Sequence, residues 1–426
     1  MRVINKPSKN QWTQLLERPY VDNSTVLHSV KEILKSVEKG RDKTLKELTR
    51  KFEGALLAEL KVSEEELANA GKMVPAELKL AIQQAKENIS RFHQAQVRQE
   101  ERIETMPGVE CWRKSIGIEK VGLYIPGGTA PLFSTVLMLA IPAVIAGCKE
   151  IILCTPCNEE GDVHPAILYT AKLIGVNKIF KIGGAQAIAA MAYGTESIPA
   201  VYKIFGPGNQ YVTAAKQLVQ MQGIAIDMPA GPSEVCVWAD ETANPSFVAA
   251  DLLSQAEHGP DSQVLLVSTQ AEVIDKVIEE VNRQVQLLPR KDTALKALEN
   301  SKAIVVEDSG TAIELINAYA PEHLILMCKD ADASAERIVN AGSVFIGHYS
   351  PESVGDYASG TNHTLPTNGF ANAYSGVSLD SFVKKITFQK LSKEGLASIS
   401  NTVVQMAEAE GLEAHAQAVR VRMQEN

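Results

Sequence analysis

The chain has 426 residues, of which 45% are hydrophobic and 22% are charged, and its formal net charge is -9. At about 100–200 residues per domain, this length allows several domains, and the composition is ordinary for a globular protein. The negative charge argues against a general nucleic-acid-binding or anionic-membrane-binding surface. The first residues lack the apolar core of a signal peptide, so we expect a cytoplasmic protein.

The N-terminal part of the chain is predicted to be helical. In segments 24–52 and 63–98, apolar residues recur three and four positions apart among Glu, Lys and Gln, as they do on amphipathic helices. The apolar run 136–154 is interrupted by Pro142 and Gly147. A membrane-spanning helix needs about 20 mostly apolar residues, so this run predicts a buried helix followed by a strand.

From residue 121 the chain repeats a unit in which an apolar strand leads through a glycine-rich turn into a helix. The strand sequences are VGLYI, EIILC, KIFKI and VYKIF. A second series follows, with the strand-like sequences SEVCVWAD, SQVLLVST, AIVVED, HLILMC and SVFIG. Strands that alternate with helices predict parallel sheets, whose ligands bind at the carboxyl ends of the strands.

The predicted fold class is therefore α/β, with two Rossmann-like parallel-sheet domains, a helical N-terminal region and a helical C-terminal tail. The expected division is an N-terminal helical tail (1–22), a large α/β domain (23–123 plus 235–368), a Rossmann-like nucleotide domain (124–234) and a C-terminal helical tail (369–426). The C-terminal tail has too few apolar residues to fold alone, so we expect it to pack on another body or subunit. Glu410 and His415 lie in this tail, where surface charge is the ordinary interpretation.

Three glycine turns stand between a strand and a helix, at Gly127-Gly128, Gly183-Gly184 and Gly206-Pro207-Gly208. Main-chain N–H groups at such helix starts can face a phosphate. None of the turns matches G-x-G-x-x-G, and glycine also simply permits tight turns. Three turns in consecutive units favour a nucleotide-sized cleft without identifying NAD.

The segment 244–259 is predicted to be a helix that carries a polar stripe at its end. Gln255 and His258 are three positions apart, and Asp251 lies one turn earlier, so the three side chains share a face. An imidazole and an amide oxygen at a helix C-terminus suit a cation. A solvated polar face is the competing interpretation.

Two histidine-bearing loops carry further candidates. Glu322 and His323 precede the apolar run 324–327, and a carboxylate beside an imidazole is suited to general acid–base catalysis. Asp356 and His363 lie in a long loop rich in Gly, Asn and Thr. Loops of this kind are functional or disordered, although ordinary Asx turns also explain this composition.

The six cysteines are scattered, and only Cys154 and Cys157 form a C-x-x-C pair. A structural zinc site would need a second such pair or nearby histidines. Because Cys154 ends an apolar run, a buried strand end is favoured over a redox or metal site.

In combination, eight segments resemble the histidinol dehydrogenase family, in that family's order and over nearly the whole chain. They are PGGTAPLFSTVLMLAIPA, IGGAQAIAAMAYGTESI, IFGPGNQYVTAAK, IDMPAGPSEV, DLLSQAEHGPDSQ, NAYAPEHL, AGSVFIG and GDYASGTNHTLPT. The resemblance implies a zinc-dependent enzyme that oxidises L-histidinol to L-histidine through histidinaldehyde, a four-electron reaction with two NAD.

The resemblance also implies roles for individual residues. The metal ligands would be Gln255, His258, Asp356 and His415. The substrate contacts would be Ser233, His323, His363 and Glu410. The NAD contacts would be Tyr124, Gln186 and Asn209. The catalytic residues would be Glu322, which activates water, and His323, which acts as base in both oxidations.

Members of the family are intertwined homodimers, so the resemblance places Glu410 and His415 in the partner's active site. Three alternatives remain open at this stage. The chain could be a family relative that oxidises another small hydroxylated compound. It could be a metal-dependent hydrolase that uses Glu322, or a non-catalytic nucleotide-binding module. A site of nitrogen and oxygen ligands also suits manganese or cobalt.

Overall fold

The computed structural model describes residues 1–18, 24–127, 131–229 and 231–424. The first half of the chain begins with a strand and continues with four helices before the first sheets form. Its elements are β1 (Arg2–Asn5), α1 (Lys9–Leu15), α2 (Ser24–Glu53), α3 (Glu64–Met73), α4 (Ala76–Gln94), β2 (Arg102–Met106), β3 (Val109–Gly117), β4 (Lys120–Tyr124), α5 (Phe133–Ile145), β5 (Glu150–Thr155), α6 (Pro165–Ile174), β6 (Lys178–Lys181), α7 (Gly184–Tyr193), β7 (Lys203–Phe205), α8 (Gln210–Gln220) and β8 (Ala225–Ile226).

The second half alternates strands and helices and then ends in a strand and two helices. Its elements are β9 (Glu234–Ala239), α9 (Pro245–Ala256), β10 (Gln263–Ser268), α10 (Ala271–Gln284), α11 (Lys291–Glu299), β11 (Lys302–Val305), α12 (Ser309–Tyr319), β12 (His323–Met327), α13 (Ala331–Ala335), β13 (Ser343–Ile346), α14 (Glu352–Tyr357), β14 (Val383–Leu391), α15 (Lys393–Ala409) and α16 (Glu413–Gln424). Short 3-10 turns cover Val285–Leu287, Phe370–Asn372 and Leu379–Phe382.

Two parallel sheets form the body and confirm the predicted α/β class. The five-stranded sheet has the order β6-β5-β4-β7-β8, and the six-stranded sheet has the order β1-β11-β10-β9-β12-β13. All neighbouring strands in both sheets run parallel. Strands β9, β10 and β12 are buried along their whole length, as continuous apolar runs covered on both faces should be.

The expectation of a purely helical N-terminal tail is wrong for its first residues. Arg2–Asn5 form β1, which extends the six-stranded sheet by pairing with β11. Helix α1 follows, and Trp12 and Leu16 pack into the core beneath that sheet. A four-residue edge strand shows too little alternation to be recognised from its own sequence, because the partner strand supplies its hydrogen bonds.

The C-terminal tail is mainly helical, as expected, but it also contains a strand that the sequence did not indicate. Val383–Leu391 form β14, which pairs antiparallel with β3 in a small sheet of the order β14-β3-β2. Beyond it, α15 and α16 pack chiefly on each other. Met406, Leu412 and Val421 are exposed on them. Among the described residues of these helices, only Gly395, Ala407 and Ala416 are buried, so the pair lacks a core of its own.

The helices of the N-terminal part pack on the five-stranded sheet. Helix α2 contacts α7 and α8, α3 contacts α6, and α4 contacts α5. Val30 and Leu34 of α2 share a buried cluster with Ile188 of α7. This packing disagrees with the grouping of 23–123 with 235–368, because the apolar faces of α2, α3 and α4 meet the other sheet. The domain boundaries themselves stay a prediction.

The apolar run 136–154 forms the buried helix α5 and the strand β5, as the sequence predicts. No helix among the described residues is long and apolar enough to cross a membrane. All six cysteines are free. Cys154 is buried within β5, and burial raises the pKa of its thiol. The Cys157 thiol donates to Glu53 (3.4 Å), so the structural interpretation of the C-x-x-C pair holds.

Candidate active site

Opposite edges of the two parallel sheets contribute to one cleft. The glycine turns follow strands of the five-stranded sheet, at its carboxyl edge, whereas Ser233 precedes β9 and Glu322 precedes β12, at the amino edge of the six-stranded sheet. The cleft has a volume of about 1740 Å³, and Asn209, Ser233 and His258 line it. The candidate residues of the six-stranded sheet thus lie at its amino edge, whereas the general expectation places ligands at the carboxyl ends of strands.

Glu322 and His323 are both buried, and the side chain of each forms a hydrogen bond with the main chain of Glu234. The N–H of Glu234 donates to Glu322 Oε2 (2.9 Å). The Nδ1 of His323 donates to the Glu234 carbonyl (3.1 Å). Strands β9 and β12 are paired neighbours, with His323 beside Val235, which brings the two segments together. A proton held at Nδ1 leaves Nε2 as the basic nitrogen of the neutral ring.

The Nε2 atom of His323 lies 3.4 Å from Asp356 Oδ1 and has no hydrogen-bond partner among the described residues. Burial alone would lower the pKa of His323. The carboxylates of Glu322, Asp356 and Glu352 outweigh burial and raise the pKa well above its usual value. The pKa of Asp356 is lowered, because the nearby imidazoles of His323, His363 and His258 outweigh the effect of its burial. These mutual effects place Asp356 at the centre of a histidine cluster.

Gln255 lies near the end of α9 and is buried beside two carboxylates. Its amide is satisfied when the nitrogen donates to Glu352 Oε1 (2.8 Å) and the oxygen accepts from Glu234 N (3.2 Å). The Ser254 hydroxyl also donates to Glu352 (3.1 Å). Burial raises the pKa of Glu352 to about 8, with Asp356 adding to the rise and His323 opposing it.

His258 lies two residues beyond the end of α9, so the helix predicted over 244–259 ends earlier than expected. Its N–H still bonds to the Gln255 carbonyl (3.2 Å), which keeps both side chains at the same helix end. The negative end of the helix dipole favours a cation there. Within the described ranges, no three His, Cys, Asp or Glu side chains converge as a metal site. A centre at this point would need Gln255 and a further ligand.

His363 connects the site to the other sheet. Its Nδ1 donates to the Asp356 carbonyl (2.8 Å), and its Nε2 lies 3.2 Å from the Thr135 hydroxyl of α5. Burial lowers the pKa of His363 more than Asp356 raises it, so the ring is neutral near pH 7. A neutral ring bonded on both sides serves to fix loop 355–367 against α5.

At the glycine turn that opens α7, side chains of the protein itself accept the hydrogen bonds of the main-chain N–H groups. The Glu53 carboxylate accepts from Gly183 N (2.9 Å) and from Cys157 N (3.1 Å). The Tyr124 hydroxyl accepts from Gly184 N (3.1 Å). Gln186 is buried in the first turn of α7. In this structure Glu53 and Tyr124 take both donors, so the expectation that these N–H groups face a phosphate stays a prediction that requires both contacts to be displaced.

A similar arrangement closes the turn before α8. Gly206 N donates to Asp227 (2.8 Å), and Asp227 forms a buried ion pair with Lys216. The Asn209 side chain accepts from Tyr211 N (3.0 Å), so Asn209 is the N-cap of the helix. The N-cap hydrogen bond holds the Asn209 side chain at the start of α8, and this position lies at the rim of the cleft. The third turn cannot be compared, since Gly128 lies outside the described residues.

Glu410 and His415 are exposed on the arm formed by α15 and α16. No hydrogen bond or ion pair within the described part of the chain joins either side chain to the other candidate residues. The structure thus brings together Glu322, His323, Gln255, Asp356 and His363. It places Ser233, His258 and Asn209 around the cleft and Tyr124 and Gln186 at the α7 turn. Glu410 and His415 lie apart from all of them.

Sequence reasoning missed four residues that shape the site. Glu352 stands four positions before Asp356 on α14, a spacing that places both carboxylates on one helix face. Glu53, Arg18 and Glu234 contact partners far away along the chain, and no local pattern marks them. Only the Glu352 spacing could have been noticed beforehand.

The two parallel sheets and the buried Glu322–His323 pair define an α/β protein with a candidate acid–base centre beside a large cleft. A sequence profile of the family described as "Histidinol dehydrogenase" matches residues 16–423. The chain therefore belongs to the histidinol dehydrogenase family, and it is an oxidoreductase.

Individual relatives agree over the full length. The histidinol dehydrogenase of Bacteroides fragilis is 60% identical over 425 residues, covering 100% of this chain and 99% of the relative. That of Escherichia coli is 50% identical, covering 98% and 96%. The crystal structure of histidinol dehydrogenase from Elizabethkingia anophelis superposes with a TM-score of 0.98 at 54% identity, covering 100% and 98%. The fold of the whole chain is thus that of a solved family member.

Proposed function

We propose that this protein oxidises L-histidinol to L-histidine through histidinaldehyde, with two NAD, as the last steps of histidine biosynthesis in the cytoplasm. Family membership supports the reaction. The assignment of His323 as the base and of Glu322 as the residue that activates water rests on one observation, the buried Glu322–His323 pair. Its imidazole donates from Nδ1 to Glu234 O (3.1 Å) and keeps Nε2 without a hydrogen-bond partner among the described residues, where a substrate hydroxyl would meet it.

In the first oxidation, His323 Nε2 takes the hydroxyl proton while the carbinol carbon loses a hydride. Bound NAD accepts that hydride in each oxidation. A base must be neutral before it reacts, yet surrounding carboxylates raise the pKa of His323. A cation held at Asp356 would offset this negative charge, which fits a base that works near neutral pH.

In the second oxidation, Glu322 deprotonates a water as it adds to the aldehyde carbon, and the protonated His323 returns its proton to the aldehyde oxygen. This gives the hydrate and restores the neutral imidazole, and the proton on Glu322 passes to solvent. His323 takes a proton from that hydrate as the second hydride leaves. Each hydride carries two electrons, so the balance is four electrons, two NADH and one carboxylate per histidinol. Retaining the aldehyde in the closed site protects a reactive intermediate.

For the metal, Gln255, His258, Asp356 and the partner subunit's His415 would be the ligands. The donor chemistry fits, since one anionic and three neutral ligands leave a zinc ion positively charged with open coordination positions. The bound ion would orient the amino and imidazole nitrogens of the substrate. The end of α9 favours a cation on independent grounds. Zinc is the metal that we propose.

The remaining contacts follow the same proposal. Ser233, His363 and the partner subunit's Glu410 would hold the substrate. Tyr124, Gln186 and Asn209 would hold NAD. The exposed arm of α15 and α16 lacks a core of its own, which supports a homodimer in which each arm completes the other subunit's site.

The decisive experiment is the amount of NADH formed per histidinol consumed by purified protein with zinc and NAD. We expect two. One NADH would indicate an ordinary alcohol dehydrogenase, and none on histidinol but some on another alcohol would indicate a different substrate. Glu322→Gln should stop after the first NADH, whereas His323→Asn should reduce both oxidations. Product formation without NAD would instead favour a hydrolase.

A further inference from the structure

Arg18 forms a buried ion pair with Glu234 across 216 positions of sequence. Its Nε donates to Glu234 Oε1 and its Nη2 to Oε2, both at 2.9 Å. Such a two-bond fork between a guanidinium and a carboxylate fixes orientation as well as distance. The pair is therefore suited to holding the start of β9 in one place.

Arg18 and Glu234 each make further contacts besides the ion pair. Arg18 Nη2 donates to the Tyr319 carbonyl (2.6 Å), and the guanidinium lies 4.0 Å from the centre of the Tyr319 ring. Asn368 N donates to Glu234 Oε1 (2.8 Å). Helix α1, which precedes Arg18, is anchored because Trp12 belongs to the same apolar cluster as Tyr319. These contacts together restrain the position of the ion pair.

The main chain of Glu234 faces the catalytic residues. Its N–H donates to Glu322 (2.9 Å), its carbonyl accepts from His323 Nδ1 (3.1 Å), and the Gln255 amide oxygen lies 3.2 Å from the same N–H. The main chain of one residue, through the two peptide groups that flank its Cα, therefore sets the orientation of the water-activating carboxylate and of the base. A shift of the Glu234 main chain would displace both at once.

We propose that Arg18 and Glu234 are positioning residues, whose ion pair fixes the main chain of Glu234 and through it the reactive geometry of Glu322 and His323. Neither side chain touches the reacting atoms. This inference rests on the proposed function for the roles of Glu322 and His323. We call the Arg18–Glu234 ion pair the clamp. Because both oxidations use His323, the clamp affects the rate of both.

The first test is Arg18→Ala with added methylguanidinium. Arg18 is one of the residues that line the cleft, so we expect a small guanidinium to reach the vacated position. We expect kcat per folded protein to fall about 10- to 100-fold, with a smaller change in KM for histidinol. Millimolar methylguanidinium should restore part of kcat saturably. Methylammonium should not, since it lacks the planar fork.

Two further variants separate positioning from stability. Val281→Ala destabilises the core under α10, away from the clamp, and should leave kcat per folded protein unchanged. Arg18→Met with Glu234→Gln removes both buried charges, which keeps the protein folded if Arg18→Ala fails to fold. We expect its thermal midpoint to lie near that of wild type while kcat remains low. A crystal structure of this double variant should show the His323 Nδ1 to Glu234 O distance lengthened.

The outcomes are distinct. If wild type forms no NADH from histidinol, the proposed function fails, whatever the variants do. If wild type is active and the double variant has wild-type kcat, the clamp is overturned. It is also overturned if Arg18→Ala loses activity only in proportion to its unfolded fraction and methylguanidinium restores none of it.

Discussion

The carboxylate of Glu53 accepts a hydrogen bond from the main-chain N–H of Gly183 at 2.9 Å, at the helix start where a nucleotide-binding turn would present its N–H groups to a phosphate. An internal anion thus occupies the position that the glycine pattern suggested for the cofactor. Burial raises the pKa of Glu53, although the N–H groups of Cys157 and Gly183 counteract it. If NAD binds at this sheet edge, as we propose, its pyrophosphate either lies elsewhere on the edge or displaces Glu53.

We expect Glu53→Gln to bind NAD several-fold more tightly. The amide keeps an acceptor oxygen for Gly183 but removes a negative charge near the cofactor phosphates, and charges at helix ends contribute about 0.3–1 kcal/mol. Calorimetric titration with NAD measures the change. Adenosine, which lacks phosphate, should bind equally to both proteins, and Glu47→Gln on the exposed face of α2 should match wild type. Unchanged or weaker NAD affinity in Glu53→Gln would contradict this electrostatic account.

Glu352→Gln should weaken zinc binding about 10- to 100-fold, the usual effect of losing a residue that orients a metal ligand. Glu352 accepts from the Gln255 nitrogen (2.8 Å), which turns the amide oxygen away from Glu352 and toward Glu234 N (3.2 Å). This oxygen is the atom that we propose as the metal ligand. A glutamine at position 352 can present either its oxygen or its nitrogen to the Gln255 amide, so the orientation of that amide is no longer fixed. Competition with a chromophoric chelator measures the affinity. Glu257→Gln, which removes a charge at the same helix end, is the control, and equal weakening in both variants would show a simple charge effect.

Asp251→Asn should stabilise the protein at pH 8 but not at pH 4. Burial raises the pKa of Asp251 from 3.8 to about 7. The folded state therefore keeps the proton up to about pH 7 while the unfolded chain releases it above about pH 4, so stability falls as pH rises through this window. Asparagine does not titrate, and the gain reaches at most about 4 kcal/mol. Urea unfolding at both pH values tests this. Asp275→Asn on exposed α10 should show no such difference, and an equal effect at both pH values would argue against titration.

Mixing two variants that cannot complete the four-electron reaction, with histidine formation as the activity measured, tests whether the arm acts in the partner's site, as we propose. His415→Ala lacks a ligand on its arm, and Glu322→Gln lacks the water-activating carboxylate of the body. In a mixed dimer, one site combines an intact body with an intact arm. If subunits exchange at random, activity should recover to about a quarter of wild type. No recovery after verified subunit exchange would place His415 in its own subunit's site or outside any site.

Local sequence determined most of the regular structure. Asn244 caps α9 by accepting from Ser246 N, and Ser63 with Glu66 forms a capping box at the start of α3. The buried strands of both parallel sheets appear as apolar runs because they are covered on both faces. Strands β1 and β14 escaped recognition, since an edge strand and a solvent-exposed strand depend on partners for their pattern and bonds.

The sequence also marked the candidate site residues, because Glu322, His323, Asp356 and His363 lie in motifs that resemble one family. Tertiary structure alone decided how they are held. The pairing of β9 with β12 brings the Glu234 peptide to Glu322 and His323, and Arg18 reaches Glu234 from 216 positions away. Glu53 fills the α7 turn from a distant helix. Such contacts depend on which faces and edges meet, and that is set by the burial of whole elements rather than by any short pattern.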